Sequence, residues 1–244
     1  MGGASAAAQP SPERACPLGV CDGSGWILGP EDVARPCECR ESRLRKGRAK
    51  GVNSVIPPKY RGVSFDRPPI SDMERDMQNR AAVTEVRRFV EALDDRLDEG
   101  RGLWLFGETG TGKTSLAMLV SKEALEAGRS VAIYSLPKLL ARIRRTFESA
   151  TGEDNYTELF ERLTSVDLLH IDDFGAEKRS DWVLEQLYAL INERYETERA
   201  VVVTTNLPHE ELEEQIGART VSRLSQMCDE VPLFGPDRRY GTAA

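Results

Sequence analysis

Apolar residues along this chain follow two rhythms. Short continuous runs at residues 103–106 (Leu103-Trp104-Leu105-Phe106), 131–135, 166–171 and 200–204 have the length of strands buried on both faces. Helical spacing fills the stretches between and around them. Residues 81–97 place Val83, Val86, Phe89, Val90, Leu93 and Leu97 three or four apart, which predicts one helix with a buried stripe. Residues 115–127 put Leu116, Leu119, Val120 and Ala124 on one face, with Gly128 as the stop. Further helices are predicted at 139–147, 156–164 and 182–195, then two short ones, and residues 229–234 supply a fifth strand. Residues 60–69, with the pair Pro68-Pro69, predict an extended lead-in. Alternation of this kind means an α/β fold, a mainly parallel sheet covered by helices on both faces. There is no internal repeat.

The junction between the first strand and its helix carries the strongest chemistry. Gly107-Glu108-Thr109-Gly110-Thr111-Gly112-Lys113-Thr114 fits G-x-x-x-x-G-K-[ST] in the strand–loop–helix order that the pattern requires. Glycines let backbone N–H groups converge on phosphate oxygens, and the helix N-terminus adds positive potential. Lys113 is then expected to reach the β- and γ-phosphates, and the Thr114 hydroxyl to ligate Mg²⁺. The third strand ends in Asp172-Asp173, the form of a Walker B element. Asp172 would hold Mg²⁺ through water, and Asp173 would orient or deprotonate the attacking water. The fourth strand ends at Asn206, on the same sheet edge, where its carboxamide can bond a γ-phosphate and the lytic water. His170 precedes the strand end and reads as a packed core histidine. Arg219 and Arg223 lie one helical turn apart. Arg223 is the candidate arginine finger for a neighbouring copy's site, which requires a head-to-tail homo-oligomer; Arg219 can do the same or form a salt bridge.

Composition narrows the class. At 244 residues, 40% hydrophobic and 30% charged, the chain has room for one well-buried domain and a small appendage. No apolar run approaches the roughly 20 residues of a membrane span, and the first residues lack a secretory pattern, so a cytoplasmic address is expected. A net charge of −7 leaves nucleic-acid contact to local basic patches. Four of the five cysteines crowd before residue 40. Cys16, Cys21, Cys37 and Cys39 can make a tetrahedral Zn²⁺ site, with Gly23 and Gly25 in tight turns and Trp26-Ile27-Leu28 as a ribbon strand, or remain reduced thiols. The basic run from Arg40 to Lys50 is either a solvated linker or a phosphate-backbone contact. The expected organisation is a disordered leader at 1–15, a cysteine module at 16–40, a basic linker at 41–58, and the nucleotide-binding domain at 59–244.

Taken together, the motif at 107–114, Ile171-Asp172-Asp173-Phe174-Gly175-Ala176-Glu177-Lys178 with Trp182 following, Asn192-Glu193-Arg194-Tyr195, Thr204-Thr205-Asn206 and Ser222-Arg223-Leu224 resemble the DnaC/DnaI-type helicase-loader branch of the AAA+ ATPases. The resemblance covers roughly Tyr60 to Phe234 and extends to a sister branch, the IstB-type transposition helpers. The cysteine-rich front end resembles the loader side. The resemblance implies an AAA+ P-loop NTPase core with a five-stranded parallel sheet and a reduced or absent lid, since only about twenty residues follow Arg223. It implies ATP and Mg²⁺ as ligands, a DnaB-type replicative helicase docked on the zinc module, and single-stranded DNA held by basic residues such as Lys138, Arg142, Arg144 and Arg145. Each of those four is otherwise a residue on a solvated helix face. Asn206 would be sensor 1, and adenine would lie near Tyr60 to Phe65. Most AAA+ enzymes carry Glu where this chain has Asp173, so slow turnover is expected. Rival readings are an IstB-like helper on duplex DNA, a weakly hydrolysing nucleotide-gated scaffold, and a P-loop kinase, for which no lid or acceptor pocket is visible.

Overall fold

A computed structural model describes residues 16, 18–21, 24, 26–29, 33–40, 55–148 and 156–238. The leader expected at 1–15, most of the linker expected at 41–58, and Gly23 and Gly25 lie outside the described residues. The chain divides into two compact units, Met1–Gly51 and Val52–Ala244.

In the first unit, β1 (Trp26–Leu28) pairs antiparallel with β2 (Ala34–Pro36), Ile27 opposite Arg35. The Arg40 guanidinium lies 4.1 Å from the centre of the Trp26 ring. The β1 strand matches the sequence pattern; β2 carries no alternation, being exposed at all three positions.

In the second unit a 3-10 turn, Pro58–Tyr60, precedes α1 (Ile70–Arg75), α2 (Arg80–Glu91) and α3 (Leu93–Asp98). The lead-in is therefore not extended throughout. The helix expected over 81–97 breaks at Ala92, whose ψ of 24° leaves the helical range, although Leu93 and Leu97 stay buried beyond the break. Strand and helix then alternate: β3 (Gly102–Gly107), α4 (Lys113–Ala127), β4 (Val131–Ser135), α5 (Leu136–Glu148), α6 (Tyr156–Ser165), β5 (Leu168–Asp172), α7 (Asp181–Glu196), β6 (Ala200–Thr205), α8 (His209–Ile216), α9 (Ala218–Met227) and β7 (Cys228–Leu233). Gly128 ends α4 in a left-handed turn with φ 93°, its N–H donating to Leu125, as its place in the sequence suggests. Ser180 caps α7, its hydroxyl accepting from the Val183 N–H at 3.3 Å.

The five long strands are all parallel, in the order β4-β5-β6-β3-β7. Helices cover both faces, as the alternation predicts. Successive residues point to opposite layers. Leu103, Leu105, Leu168 and Val202 pack with α1 to α4; Trp104, Leu169, Ile171, Val201 and Val203 pack with α5 to α9. Among the described residues, β7 closes the sheet without a helical lid after it, and no helix is long and apolar enough to cross a membrane. Because β6 lies between β5 and β3, the ends of three strands meet at one edge of the sheet.

Arg194 ties the far end of the sheet together. It is fully buried and donates to the carbonyls of Leu163, Thr164, Val166, Asp167 and Ala200 at 2.7 to 3.4 Å. Those acceptors end α6 and start β5 and β6, so one guanidinium satisfies three chain segments at once. Burial pushes its pKa down to about 9. Arg194→Met is expected to cost about 3 kcal/mol of unfolding free energy, because it strands buried carbonyls. Arg194→Lys should recover little of that, since an ammonium cannot span acceptors on three segments. Urea midpoints of the three proteins check this; a loss within ~0.5 kcal/mol would show that the carbonyls find other donors.

Candidate functional site

The strand-end edge builds one site from the residues that the sequence singles out. β3 ends at Gly107, whose φ of 141° favours glycine and where a Cβ would collide with the Leu233 carbonyl of β7. Gly112, with φ 106°, starts α4; a Cβ there would come within 2.5 Å of the Met73 sulfur. Gly107 is required by its close approach to backbone and Gly112 by its positive φ, and the loop from 107 to 114 is fitted between β7 and α1. Glu108 and Thr109 form its exposed outer lip, while Thr111 is buried with its hydroxyl donating to the Glu108 carbonyl at 2.9 Å. Lys113 is 5% exposed, and its ammonium donates to the carbonyls of Gly107 at 2.8 Å and Glu108 at 2.6 Å. The only cation on the loop is thus drawn into the loop's mouth by the backbone.

Thr114, Asp172 and Thr204 form a chain of oxygens. The Thr114 hydroxyl donates to Asp172 Oδ1 at 2.9 Å, and Thr204 donates to the same oxygen at 2.6 Å. Thr204 Oγ1 also accepts from the Asp173 N–H at 3.0 Å, and the Phe174 N–H donates to the Thr204 carbonyl. Thr204 therefore fixes both acids of β5 from the neighbouring strand. Asp173 has φ 57°, a left-handed conformation that Asp tolerates better than most residues. A hydroxyl and a carboxylate this close are the hard oxygen donors that Mg²⁺ takes, usually alongside phosphate oxygens and water.

A cavity of about 390 Å³ opens above this edge. Gly110, Gly112, Lys113, Thr114, Asp173 and Asn206 line one side; Lys59, Tyr60, Val63, Pro68 and Pro69 line the other. Arg238 also lines it. Its backbone N–H donates to the Gly110 carbonyl at 3.1 Å, and its guanidinium is paired with Asp76. The Asp76 carboxyl is held below the usual range by the Asn79 amide, the Gln78 N–H and Arg238. Neither Arg238 nor Lys59 was a candidate from the sequence. Nothing local marks either one, and only closure of the chain brings residue 238 to the loop. Thr204 carried a weak signal, two buried threonines at a strand end.

Arg223 does not line this cavity. It sits between α9 and α7, its Nε donating to Asn192 Oδ1 at 3.2 Å and its guanidinium 4.3 Å from the centre of the Tyr195 ring. His170 is fully buried, with Nδ1 2.9 Å from the Ser121 hydroxyl, and burial pushes it down to about 4. It is a neutral core histidine, as its place inside the strand predicts.

In the first unit Cys16, Cys21, Cys37 and Cys39 bring their sulfurs within 4.8 Å of one another. Cys16 and Cys37 are 3.9 Å apart and Cys21 and Cys39 3.6 Å, too far for disulfides. Four thiolates around Zn²⁺ at about 2.3 Å have sulfurs about 3.8 Å apart, so the cluster fits the ion. Backbone N–H groups, Cys21's foremost, lower the Cys16 thiol to about 6; burial and then the neighbouring sulfurs raise Cys39 to about 12. Sulfurs so close cannot all be anionic unless a cation sits among them.

The family model described as IstB-like ATP binding protein matches residues 75–235. The replicative helicase loader DnaC of Escherichia coli strain K12 is 29% identical over 187 residues, 76% of this chain and 72% of that protein. The replicative helicase loader DnaI of Bacillus subtilis strain 168 is 24% identical over 218 residues, 84% of this chain and 67% of that one. Among solved structures, the DnaC helicase loader superposes with a TM-score of 0.63 at 24% identity, covering 73% of this chain and all of that one. The replication initiator DnaA bound to AMPPCP and single-stranded DNA gives 0.60 at 22% identity over 74% of this chain and 51% of that one. These last two likenesses concern the fold. The chain belongs to the IstB-like ATP-binding protein family, and within it is of the DnaC/DnaI helicase-loader type of AAA+ protein.

Proposed function

We propose that this protein is an ATP-hydrolysing loader of a DnaB-type replicative helicase, acting on single-stranded DNA in the cytoplasm. The observation that carries the reading is its likeness to two helicase loaders over most of their length. In this reading the loop N–H groups, Lys113 and the N-terminus of α4 hold the triphosphate, and Tyr60 with Val63 and the prolines encloses the base. Thr114 and Asp172 would hold Mg²⁺, which supplies neutralisation of β- and γ-phosphate charge. Asp173 orients and deprotonates water, and Asn206 bonds the γ-phosphate and that water. Arg223, lying off its own cavity, serves the site of the next copy.

The DNA-binding reading gains support from one more patch. Phe147 is 57% exposed, and the Arg144 guanidinium lies 5.0 Å from the centre of the Trp182 ring. With Ser180 these residues line a recess of about 400 Å³, and α5 also carries Lys138, Arg142 and Arg145. A basic helix bordered by an exposed aromatic ring suits a strand whose bases can be stacked.

The test is pull-down of a DnaB-type helicase with ATP and a single strand, with stimulated unwinding as the readout. Capture and stimulation together are expected. Failure to bind helicase alongside firm duplex binding would favour a transposition helper.

For the first unit, about one equivalent of Zn²⁺ is expected by elemental analysis after purification without chelators. Cys39→Ser should lose it together with helicase capture. Less than half an equivalent in the unaltered protein would mean that the thiols act without metal.

A further inference from the structure

The side chain of Arg223 is held on two sides. Its Nε donates to Asn192 Oδ1 at 3.2 Å, and the Asn192 amide is oriented by donating to Glu196 Oε1 at 2.9 Å. Its guanidinium plane rests on Tyr195, 4.3 Å from the ring centre, and that ring is anchored by its hydroxyl donating to Gln226 Oε1 at 2.8 Å. Among the described residues no bond engages the terminal nitrogens of Arg223. A free arginine side chain has many rotamers and loses most of that freedom when it grips an anion. Here the Nε edge and one face are occupied, while the two-nitrogen end that matches a phosphate remains available.

We infer that Asn192 and Tyr195 are positioning residues that hold Arg223 in the conformation in which it reaches a neighbouring copy's nucleotide. The inference rests on the assignment of Arg223 as a trans-acting finger. Both residues act through Arg223: the ring attracts the guanidinium by its quadrupole, and the amide fixes its rotation about the ring normal. If the cluster only cemented α7 to α9, its loss would lower stability without singling out the chemical step.

The experiment is a mutant cycle in ATP turnover, measured against protein concentration with and without a single strand. Tyr195→Leu and Asn192→Leu are each expected to lower the assembly-dependent kcat about tenfold, with KM and ATP-analogue affinity unchanged. Tyr195→Phe, which keeps the ring, should retain nearly full kcat. Adding Tyr195→Leu to Arg223→Ala should lower turnover no further. Should Tyr195→Leu fail to fold, Asn192→Leu completes the same cycle. Equal losses from Tyr195→Leu with and without Arg223, or full kcat in both Leu variants, would overturn the positioning role and leave the finger standing. An Arg223→Ala protein with unaltered turnover would overturn the finger, and the positioning role with it.

Discussion

Lys113→Ala is expected to weaken ATP binding by about a hundredfold or more, read by calorimetric titration, while the melting midpoint barely moves. The ammonium is 5% exposed and held by the carbonyls of Gly107 and Glu108 at the mouth of the loop. Against phosphate oxygens the same group would make charge-assisted bonds worth roughly 1.5–3 kcal/mol each. Losing two of them corresponds to a factor of about 10² to 10⁴ in affinity. Stability responds less because the released carbonyls border a cavity open to water, which hydrates them. Lys113→Arg should not restore binding, since a rigid planar fork does not fit where one ammonium meets two carbonyls. Affinity within about threefold of the parent (~0.65 kcal/mol) would place the triphosphate elsewhere. Binding lost together with tens of degrees of melting temperature would make Lys113 a structural residue.

Whether a feature could be read from the sequence depended on how far apart in the chain its parts lie. β3, the loop and α4 are contiguous, so apolar run, glycine motif and helical stripe could be read in one pass. The parallel sheet followed from alternation, and β6 from its run of valines, because strands buried on both faces leave no polar position to confuse the pattern. The break at Ala92 was invisible because the buried stripe continues through it: Leu93 and Leu97 keep the spacing that Val86 and Phe89 begin. The helix Ile70–Arg75 is six residues long, too short for periodicity to register after two prolines. Thr204 and Arg238 are hard to read for a different reason. Each acts on residues far along the chain, Thr204 on Asp172 and Arg238 on Gly110, across 32 and 128 residues. Residue type alone does not announce such contacts.

Arg223→Ala should leave the affinity of each copy for ATP within about twofold and cut assembly-dependent turnover on the order of 10³-fold. The two numbers separate because Arg223 does not line its own copy's cavity, whereas Lys113, Asp173 and Asn206 do. Removing a group that is absent from the ground-state site but acts in the transition state lowers kcat and kcat/KM together. The same geometry predicts that two inactive proteins rescue each other. Lys113→Ala keeps its finger and lacks a working pocket; Arg223→Ala keeps its pocket and lacks the finger. In a head-to-tail mixture, an Arg223→Ala pocket followed by a Lys113→Ala finger is a complete site, and random mixing makes about one interface in four of that kind. Turnover of the equimolar mixture is therefore expected near a quarter of the parent's, when neither variant alone exceeds about a hundredth of it. A mixture no faster than its components would place the guanidinium in its own copy's site. That would require Arg223 to leave Asn192 and Tyr195 and cross to the far side of the sheet edge. Arg238, which already lines the cavity, would then be the better candidate for that charge.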